Sequence, residues 1–431
     1  MTYRSLGGAS PDVDFRTATI QGQAPDKGLY FPTEIPRWDK PFLNAIKTMD
    51  RDEMAWQVMH PYVGDCISEV DLRRIVHETL DFNIPLVPIT PEIASLELFH
   101  GPTLAFKDVG ARFMSRCLGH FSQERSGRIV VLVATSGDTG GAVANGFFDV
   151  DGVDVVILYP SGKVSPVQEK QLTTLGRNIH ALEVDGNFDD CQRMVKQAFM
   201  DADLKSKVFL TSANSINVAR WLPQQLYYIL AWQQWQQHQP PVVSVPSGNF
   251  GNICAGMMAW SSGLPIAHFI AACNANDTVP RFLNDGHYAP NPAIATISNA
   301  MDVADPSNFV RILEIFGNRQ SLTGQLHSES ITDAETTDTI ARVHRETGYL
   351  LDPHGAVGYL ALERWIRTHP GQQGYILETA HPVKFPDSVE AATGLSVPIP
   401  EKVRPIMEAE KKSTEIPARD EALKSYLEGF A

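Results

Sequence analysis

A lysine stands at the start of a segment that reads as a helix with one buried face. In "HGPTLAFKDVGARFM" (100–114), Phe106, Val109 and Phe113, and Cys117 just beyond, recur at helical spacing, and Thr103 is the expected N-cap. A helix start carries partial positive charge, so Lys107 is electrostatically misplaced there unless the site wants its amine neutral. Desolvation or nearby positive charge lowers a lysine pKa and makes the amine a nucleophile able to form a Schiff base. The plain alternative is a solvated side chain paired with Asp108.

Three more stretches place turn residues directly after apolar runs. In "VVSVPSGNFGNICAGMMA" (242–259) a strand ends at Pro246, a Gly/Asn turn follows, and a helix begins near Asn252. Gly248 and Gly251 allow backbone N–H groups to crowd round an anion at that helix start. The spacing is neither a Walker loop nor GxGxxG, so a phosphate held here does not belong to ATP or a dinucleotide. In "ATSGDTGGAVA" (134–144), Thr135, Ser136 and Thr139 bring hydroxyls suited to a carboxylate, with Asp138 as a possible cap. In "SANSINVAR" (212–220), Asn214, Ser215 and Arg220 offer an amide, a hydroxyl and a guanidinium, an oxyanion set. Each stretch also has a purely conformational reading: a tight glycine turn, or an N-cap at Asp138, Asn214 or Ser215.

A fifth stretch, "YILETAHPVKF" (375–385), leads from a strand to Thr379, His381 and Lys384. Thr379 is explained by β-propensity alone, or by a hydroxyl placed to bond a ring nitrogen without imposing charge. His381, like His354 in "LDPHGAVGYLAL", reads as structural.

These stretches need a scaffold, and the chain supplies an alternating one. Apolar runs at 128–136, 153–160, 178–186, 207–215, 242–246 and 266–274 are separated by helical patterns, which predicts parallel sheet covered on both faces. Turns at the carboxyl edge of such a sheet are where α/β proteins bind ligands. Residues 1 to about 84 show Pro-interrupted segments and no clear strand run, so a separate cap is expected there. The tail from about 401 is expected to be a closing helical segment at the surface.

At 431 residues the chain is too long for one ordinary core. Its net charge of −14 argues against nucleic acid or an anionic membrane as main partner. No run approaches the ~20 apolar residues of a membrane span, and the N-terminus lacks a signal-peptide core. Five scattered cysteines (66, 117, 191, 254 and 273) form no CxxC, and the histidines form no HExxH. Reduced thiols, a cytoplasmic location and no metal are the expectation; oligomeric state is not legible.

A nucleophilic lysine, a phosphate cup without nucleotide signatures and a hydroxyl loop for a carboxylate share one explanation, pyridoxal 5′-phosphate (PLP). In family order from 97 to 387, "ELFHGPTLAFKDVGARFM", "ATSGDTGGAVA", "ILYPSGKVSPVQEKQ", "SANSINVAR", "SVPSGNFGN", "DTVPRFL", "NAMDV" and "ETAHPVKF" resemble the threonine synthase family. "GLYFP" (28–32) resembles that family's N-terminal cap. The resemblance implies an α/β fold-type II PLP enzyme, tryptophan synthase β-like, with the cofactor between two sheet domains. The implied units are a cap (1–84), a large PLP-binding domain (85–115 with 215–431) and a smaller α/β domain (116–214). It further implies that Lys107 carries the Schiff base and acts as the base. Gly248, Asn249, Phe250, Gly251 and Asn252 would then grip the cofactor phosphate, and Thr379 would meet the pyridine nitrogen. Thr135, Ser136 and Thr139 would receive substrate, with Asn214, Ser215 and Arg220 near the substrate phosphate. Asp138 stands where some members carry Asn, and receives no role.

The implied reaction converts O-phospho-L-homoserine and water to L-threonine and phosphate. Two other readings share these motifs: a phospho-lyase or dehydratase releasing 2-oxobutanoate, and a ligand-binding relative without catalysis.

Overall fold

The structure is a computed structural model and describes residues 1–123 and 127–430. Its strands, in chain order, are β1 (Thr2–Ser5), β2 (Val13–Asp14), β3 (Tyr30–Pro32), β4 (Leu86–Pro88), β5 (Ile93–Glu97), β6 (Ile129–Ala134), β7 (Val153–Pro160), β8 (Ile179–Asp185), β9 (Phe209–Thr211), β10 (Val242–Pro246), β11 (His268–Cys273), β12 (Leu326–Ser330), β13 (Gly374–Glu378) and β14 (Ser413–Pro417). They form three sheets among the described residues: β2-β1-β3, antiparallel; β12-β11-β10-β13-β5-β4, parallel except at its β4 edge; and β14-β8-β7-β6-β9, parallel throughout.

The two parallel sheets are buried on both faces, as continuous apolar strands require. β7 is buried at every position, and so are β10 and β13. Val130, Leu132, Val156 and Leu158 serve one face of the five-stranded sheet, while Val131, Val133, Val155 and Ile157 serve the other. The fold class read from the sequence, mixed α/β with parallel sheets, is the one found.

Three expectations change. The N-terminal segment does contain strands, but of two to four residues; β1 alternates exposed and buried, too short a pattern to stand out. The strand expected at 207–215 shrinks to Phe209–Thr211, because Ser212 onward is the turn that enters the site. The tail does not close the larger unit. Strand β14 pairs with β8 of the five-stranded sheet, and the helix Asp420–Leu427 sends Leu423 and Leu427 into that sheet's core. The expected span 215–431 therefore ends short of 413: Ile416, Leu423 and Leu427 find their apolar partners on the smaller sheet.

The helix Lys107–Ser122 lies between the units. Val109, Phe113, Cys117, Leu118 and Phe121 are buried, each large side chain contributing about 1.5–3 kcal/mol. Its neighbours are the helices Glu69–Thr79, Asp138–Phe147 and Val218–Trp221. The helix is thus held by all three parts of the molecule.

Candidate functional site

The five stretches singled out in the sequence all follow the carboxyl ends of parallel strands: β5, β6, β9, β10 and β13. Stitches between them bring the ends together. The Phe106 N–H donates to the Thr379 carbonyl at 2.8 Å, and the His381 N–H to that of Leu104 at 3.0 Å. Leu104 takes a left-handed backbone conformation, φ 60°, to make this turn.

Thr103 is not the N-cap of the Lys107 helix. Phe106 occupies that position with helical backbone angles and no side-chain cap. Thr103 instead holds Asp108: its N–H donates to Oδ2 at 2.9 Å and its hydroxyl to Oδ1. Asp108 is therefore turned away from Lys107, and the solvated Lys107–Asp108 pair does not form. The Lys107 side chain is 16% exposed, with Nζ 3.8 Å from Asp138 Oδ2 and 5.0 Å from the Phe106 ring centroid. Burial lowers the Lys107 pKa; Asp138 opposes this, and the charges of Lys384 and Arg220 reinforce it.

Asp138 is the centre of a buried polar cluster rather than a cap, since Gly137 (φ 143°) is the N-cap of the helix Asp138–Phe147. Its Oδ1 accepts from Lys384 Nζ at 2.7 Å and from Gln168 Nε2 at 2.9 Å. Lys384 is wholly buried and also donates to the Thr103 carbonyl at 2.8 Å. Burial alone would raise the Asp138 pKa, but Lys384 and Lys107 outweigh it and hold the carboxylate below its usual range. Thr135 Oγ1 accepts from the N–H groups of Gly137 (3.0 Å) and Gly140 (2.9 Å), which leaves its own hydrogen to donate outward. Ser136 and Thr139 are half-buried, and neither hydroxyl has a protein partner among the described residues.

The turn after β10 has the features of an anion seat. The helix Gly251–Ser262 starts from Phe250 in the left-handed conformation, φ 60° and ψ 11°, with no side-chain cap. Among the described residues, no acceptor meets the N–H groups of Gly248, Asn249, Phe250, Gly251 or Asn252. Five such donors at a helix start make a cradle for a phosphate. At Gly248 a Cβ would lie 2.6 Å from the Met301 Cα, so backbone occupies the room a side chain would need. Asn249 ties the turn to the third stretch: its Nδ2 donates to Ser215 Oγ at 2.7 Å, and its Oδ1 accepts from the Ser307 N–H at 2.6 Å. Phe250 is buried edge-on to Phe309 at 5.7 Å. The Asn252 side chain is held by the Tyr228 hydroxyl at 2.9 Å, while its Nδ2 is buried with no partner.

Asn217, not Asn214 or Ser215, caps the helix Val218–Trp221. That leaves the Asn214 side chain with no hydrogen bond among the described residues, and the Ser215 hydroxyl oxygen accepting from Asn249 Nδ2. Arg220 is buried behind the Lys107 helix. Its Nη1 donates to the Ala213 carbonyl at 2.5 Å and its Nε has no partner; burial brings its pKa down to about 10. Thr379 is buried at the end of β13, its hydroxyl free of protein partners among the described residues. Beside it, Glu378 accepts from the Asp352 N–H at 2.8 Å, and Asp352 meets His354 Nδ1 at 2.5 Å. Burial and the neighbouring Asp352 push the Glu378 pKa well up, in the direction of the neutral acid.

Sequence reasoning gave no role to Lys384, Asp138 or Gln168, which form one cluster across the cleft, and did not single out Asn308, Arg311 or Glu378. Gln168 had a signal, the Ser165-x-x-Gln168 capping box, which points its amide back toward the site. The buried amine, the uncapped helix start with unpaired donors, and the orphaned Asn252 Nδ2 and Arg220 Nε together fit a phosphate-bearing aldehyde such as PLP.

Comparison with known proteins agrees. Residues 90–407 match the family described as "Pyridoxal-phosphate dependent enzyme", and residues 2–80 match "Threonine synthase N terminus". The chain is 42% identical to threonine synthase of Serratia marcescens, with all of both chains covered. It is also 42% identical to that of Escherichia coli K12, with 99% of each covered. The crystal structure of threonine synthase from Escherichia coli superposes with a TM-score of 0.92 at 42% identity over the whole of both chains. The PLP-bound threonine synthase from Brucella melitensis gives 0.93 at 36%, covering 100% of this chain and 99% of that one. Maize serine racemase, 15% identical with a TM-score of 0.54, shares the fold alone.

Proposed function

The chain belongs to the threonine synthase family of PLP-dependent enzymes, and from that premise we propose how its residues divide the work. The reaction is the conversion of O-phospho-L-homoserine and water to L-threonine and phosphate, a PLP-dependent lyase chemistry. When bound, PLP supplies an aldehyde for attachment to an amine and a conjugated ring that takes up negative charge from the substrate carbons.

Lys107 Nζ is the point of attachment and, when free, the base that takes protons from the substrate Cα and Cβ. A buried amine with a lowered pKa is suited to both tasks. The N–H groups of Gly248 to Asn252 hold the cofactor phosphate, and Asn249 fixes their turn against Ser215. Thr379 would meet the ring nitrogen with a neutral hydroxyl, and burial with Asp352 nearby favours the uncharged form of its neighbour Glu378. Thr135, Ser136 and Thr139 receive the substrate carboxylate with outward hydroxyls at the helix start. Asn214, Ser215 and Arg220 serve the substrate phosphate.

The substrate enters between the unit built on the five-stranded sheet and the unit built on the six-stranded one. Closure of the two around it admits water at the right step. We place the protein in the cytoplasm, supported by five free cysteines; no helix among the described residues is long and apolar enough to cross a membrane. Neither nucleic acid nor membrane is proposed as a partner.

The observation that carries this reading is Lys107 itself: an amine largely out of water at a helix start, in reach of one carboxylate that a second lysine already occupies. The test is a product assay with O-phospho-L-homoserine beside the Lys107→Ala variant. Threonine and phosphate in equal amounts, and neither from the variant, is the expected result. A 2-oxobutanoate product would replace the synthase by a lyase, and full activity in Lys107→Ala would remove the role given to Lys107.

A further inference from the structure

Arg311 is fully buried, yet no carboxylate pairs with it among the described residues. Burial lowers its pKa only to about 10, so it remains a cation at neutral pH. An isolated charge in a protein interior is costly unless it is well hydrogen-bonded and electrostatically answered. The hydrogen bonding is complete. Nε donates to the Tyr30 carbonyl at 3.2 Å; Nη1 to the Ser215 carbonyl at 3.4 Å and to Asn308 Oδ1 at 2.7 Å; Nη2 to the carbonyls of Tyr30 at 2.8 Å and Ile216 at 2.6 Å. These five contacts equal the five N–H groups of a guanidinium. Its carbon also lies 4.2 Å from the Trp221 ring centroid. Every acceptor is neutral, so beyond the Trp221 ring face no carboxylate among the described residues answers the charge.

Where the grip leads is informative. Asn308, whose Oδ1 takes Arg311, sends its Nδ2 to the Asn249 carbonyl at 3.1 Å and to Ser215 Oγ at 3.3 Å. Ser215 Oγ in turn receives Asn249 Nδ2. The same Nδ2 of Asn308 is the nearest atom, at 3.3 Å, to a Cβ placed on Gly251. Arg311 thus holds, directly or through one amide, the 214–216 turn and the 248–252 turn, and it fastens both to Tyr30 of the N-terminal segment.

We propose that Arg311 is a positioning residue that locks the two phosphate-binding turns together and supplies the positive charge that the phosphates bound at those turns answer. The inference rests on the functional reading above. It gives the "GLYFP" segment a task, since Tyr30 presents the carbonyl that orients the guanidinium. It also explains why the interior tolerates the charge: the enzyme at work holds dianions at the turns Arg311 supports.

The holoenzyme variants Arg311→Lys and Asn308→Ala test this. Arg311→Lys keeps a cation but loses the fork that reaches three segments at once. Both variants are expected to raise KM for O-phospho-L-homoserine and the inhibition constant of inorganic phosphate together, by roughly 10- to 100-fold. With PLP held saturating, kcat is expected to fall by less than KM rises, since ground-state phosphate binding is what the link supports. Retention of PLP through dialysis, followed by its visible absorbance, is expected to weaken in parallel. The double variant is expected to lose less than the product of the two single losses, because the Arg311–Asn308 bond is common to both. Lowered melting temperature with wild-type KM, wild-type phosphate inhibition and full PLP retention in Asn308→Ala would overturn the proposal and leave a structural residue. Asn308→Ala decides the matter if Arg311→Lys does not fold. Failure of the wild-type protein to form threonine would count against the functional reading instead, so the two failures are distinguishable.

Discussion

Replacing Gly248 by alanine probes the anion seat most directly. The added methyl would sit 2.6 Å from the Met301 Cα, 3.1 Å from the Ala300 carbonyl oxygen and 3.3 Å from the Met301 carbonyl carbon. Carbon atoms rest about 3.5–4.0 Å apart, so one of the two backbone segments has to move by roughly 1 Å. The Met301 side is pinned. The Ala300 N–H donates to His354 Nε2 at 3.2 Å, and Asp302 receives the Thr296 hydroxyl at 2.7 Å and Asn274 Nδ2 at 2.9 Å. The displacement therefore falls on the 248–252 turn and its N–H groups. Overpacking of this size costs about 1–3 kcal/mol of stability, and a 1 Å misplacement in a site costs about 100-fold in rate. Titration with PLP followed in the visible, thermal unfolding, and phosphate release at saturating cofactor read the three effects. Gly324→Ala, where the nearest contact is an ordinary 3.5 Å, is the control. A Gly248→Ala protein that binds PLP as tightly as wild type and turns over at the same rate would refute the assignment of this turn to the phosphate.

Two further substitutions separate electrostatic from structural roles. Lys384→Met removes the cation 2.7 Å from Asp138, a buried pair whose breakage costs about 3–5 kcal/mol, and leaves Asp138 free to favour the ammonium form of Lys107. The acid limb of the rate profile is expected to move to higher pH, and Lys384→Arg to restore it; an unmoved limb in folded Lys384→Met would count against the cluster. Asp138 is held below its usual range in the folded protein, so its pairing stabilises fully above the unfolded carboxylate value near ~3.9 and is lost progressively as pH falls from there through the lower folded value. Melting curves against pH are expected to show that acid loss in wild type and a smaller one in Lys384→Met, where Lys107 alone faces the carboxylate. Arg220→Ala is expected to raise KM for O-phospho-L-homoserine at least about 10-fold while PLP affinity changes less; equal loss of both would assign Arg220 a structural part.

Much of the site was legible in the sequence because its stretches are local. A strand, a glycine turn and a helix start occupy about ten residues, and composition alone marks them at 134–144 and 242–259. Parallel strands such as β7 and β10 were legible for the same reason: full burial makes them continuous apolar runs. What escaped depends on long-range pairing. β14 reads as "STEIP", mostly exposed, with one charged residue and one buried apolar one, and is a strand only because β8 offers an open edge. The link from Arg311 to Tyr30 joins residues 281 apart in the chain, and that from Lys384 to Thr103 joins residues equally far apart. No local pattern announces either. Thr103 illustrates the converse, a good cap by type and position that the fold diverts to Asp108.

On the reading proposed for Lys107 as attachment point and base, the Lys384–Asp138–Lys107 cluster accounts for a lysine at the start of this helix. If Asp138 faced Lys107 alone, the carboxylate and the buried amine would form an ion pair, and the amine would be protonated and useless as a base. Lys384 changes the count: it donates to Asp138 at 2.7 Å, against 3.8 Å for Lys107, so the negative charge is already answered. The cluster is neutral with Lys107 uncharged and carries an excess positive charge with it protonated, inside a buried region where excess charge is expensive. The helix start adds its own partial positive charge to the same side of the balance. A carboxylate beside the base is therefore compatible with a neutral base only because a second, fully buried lysine occupies it, and substituting Asp138 alone is the wrong way to free Lys107: Asp138→Asn would leave Lys384 as the uncompensated charge.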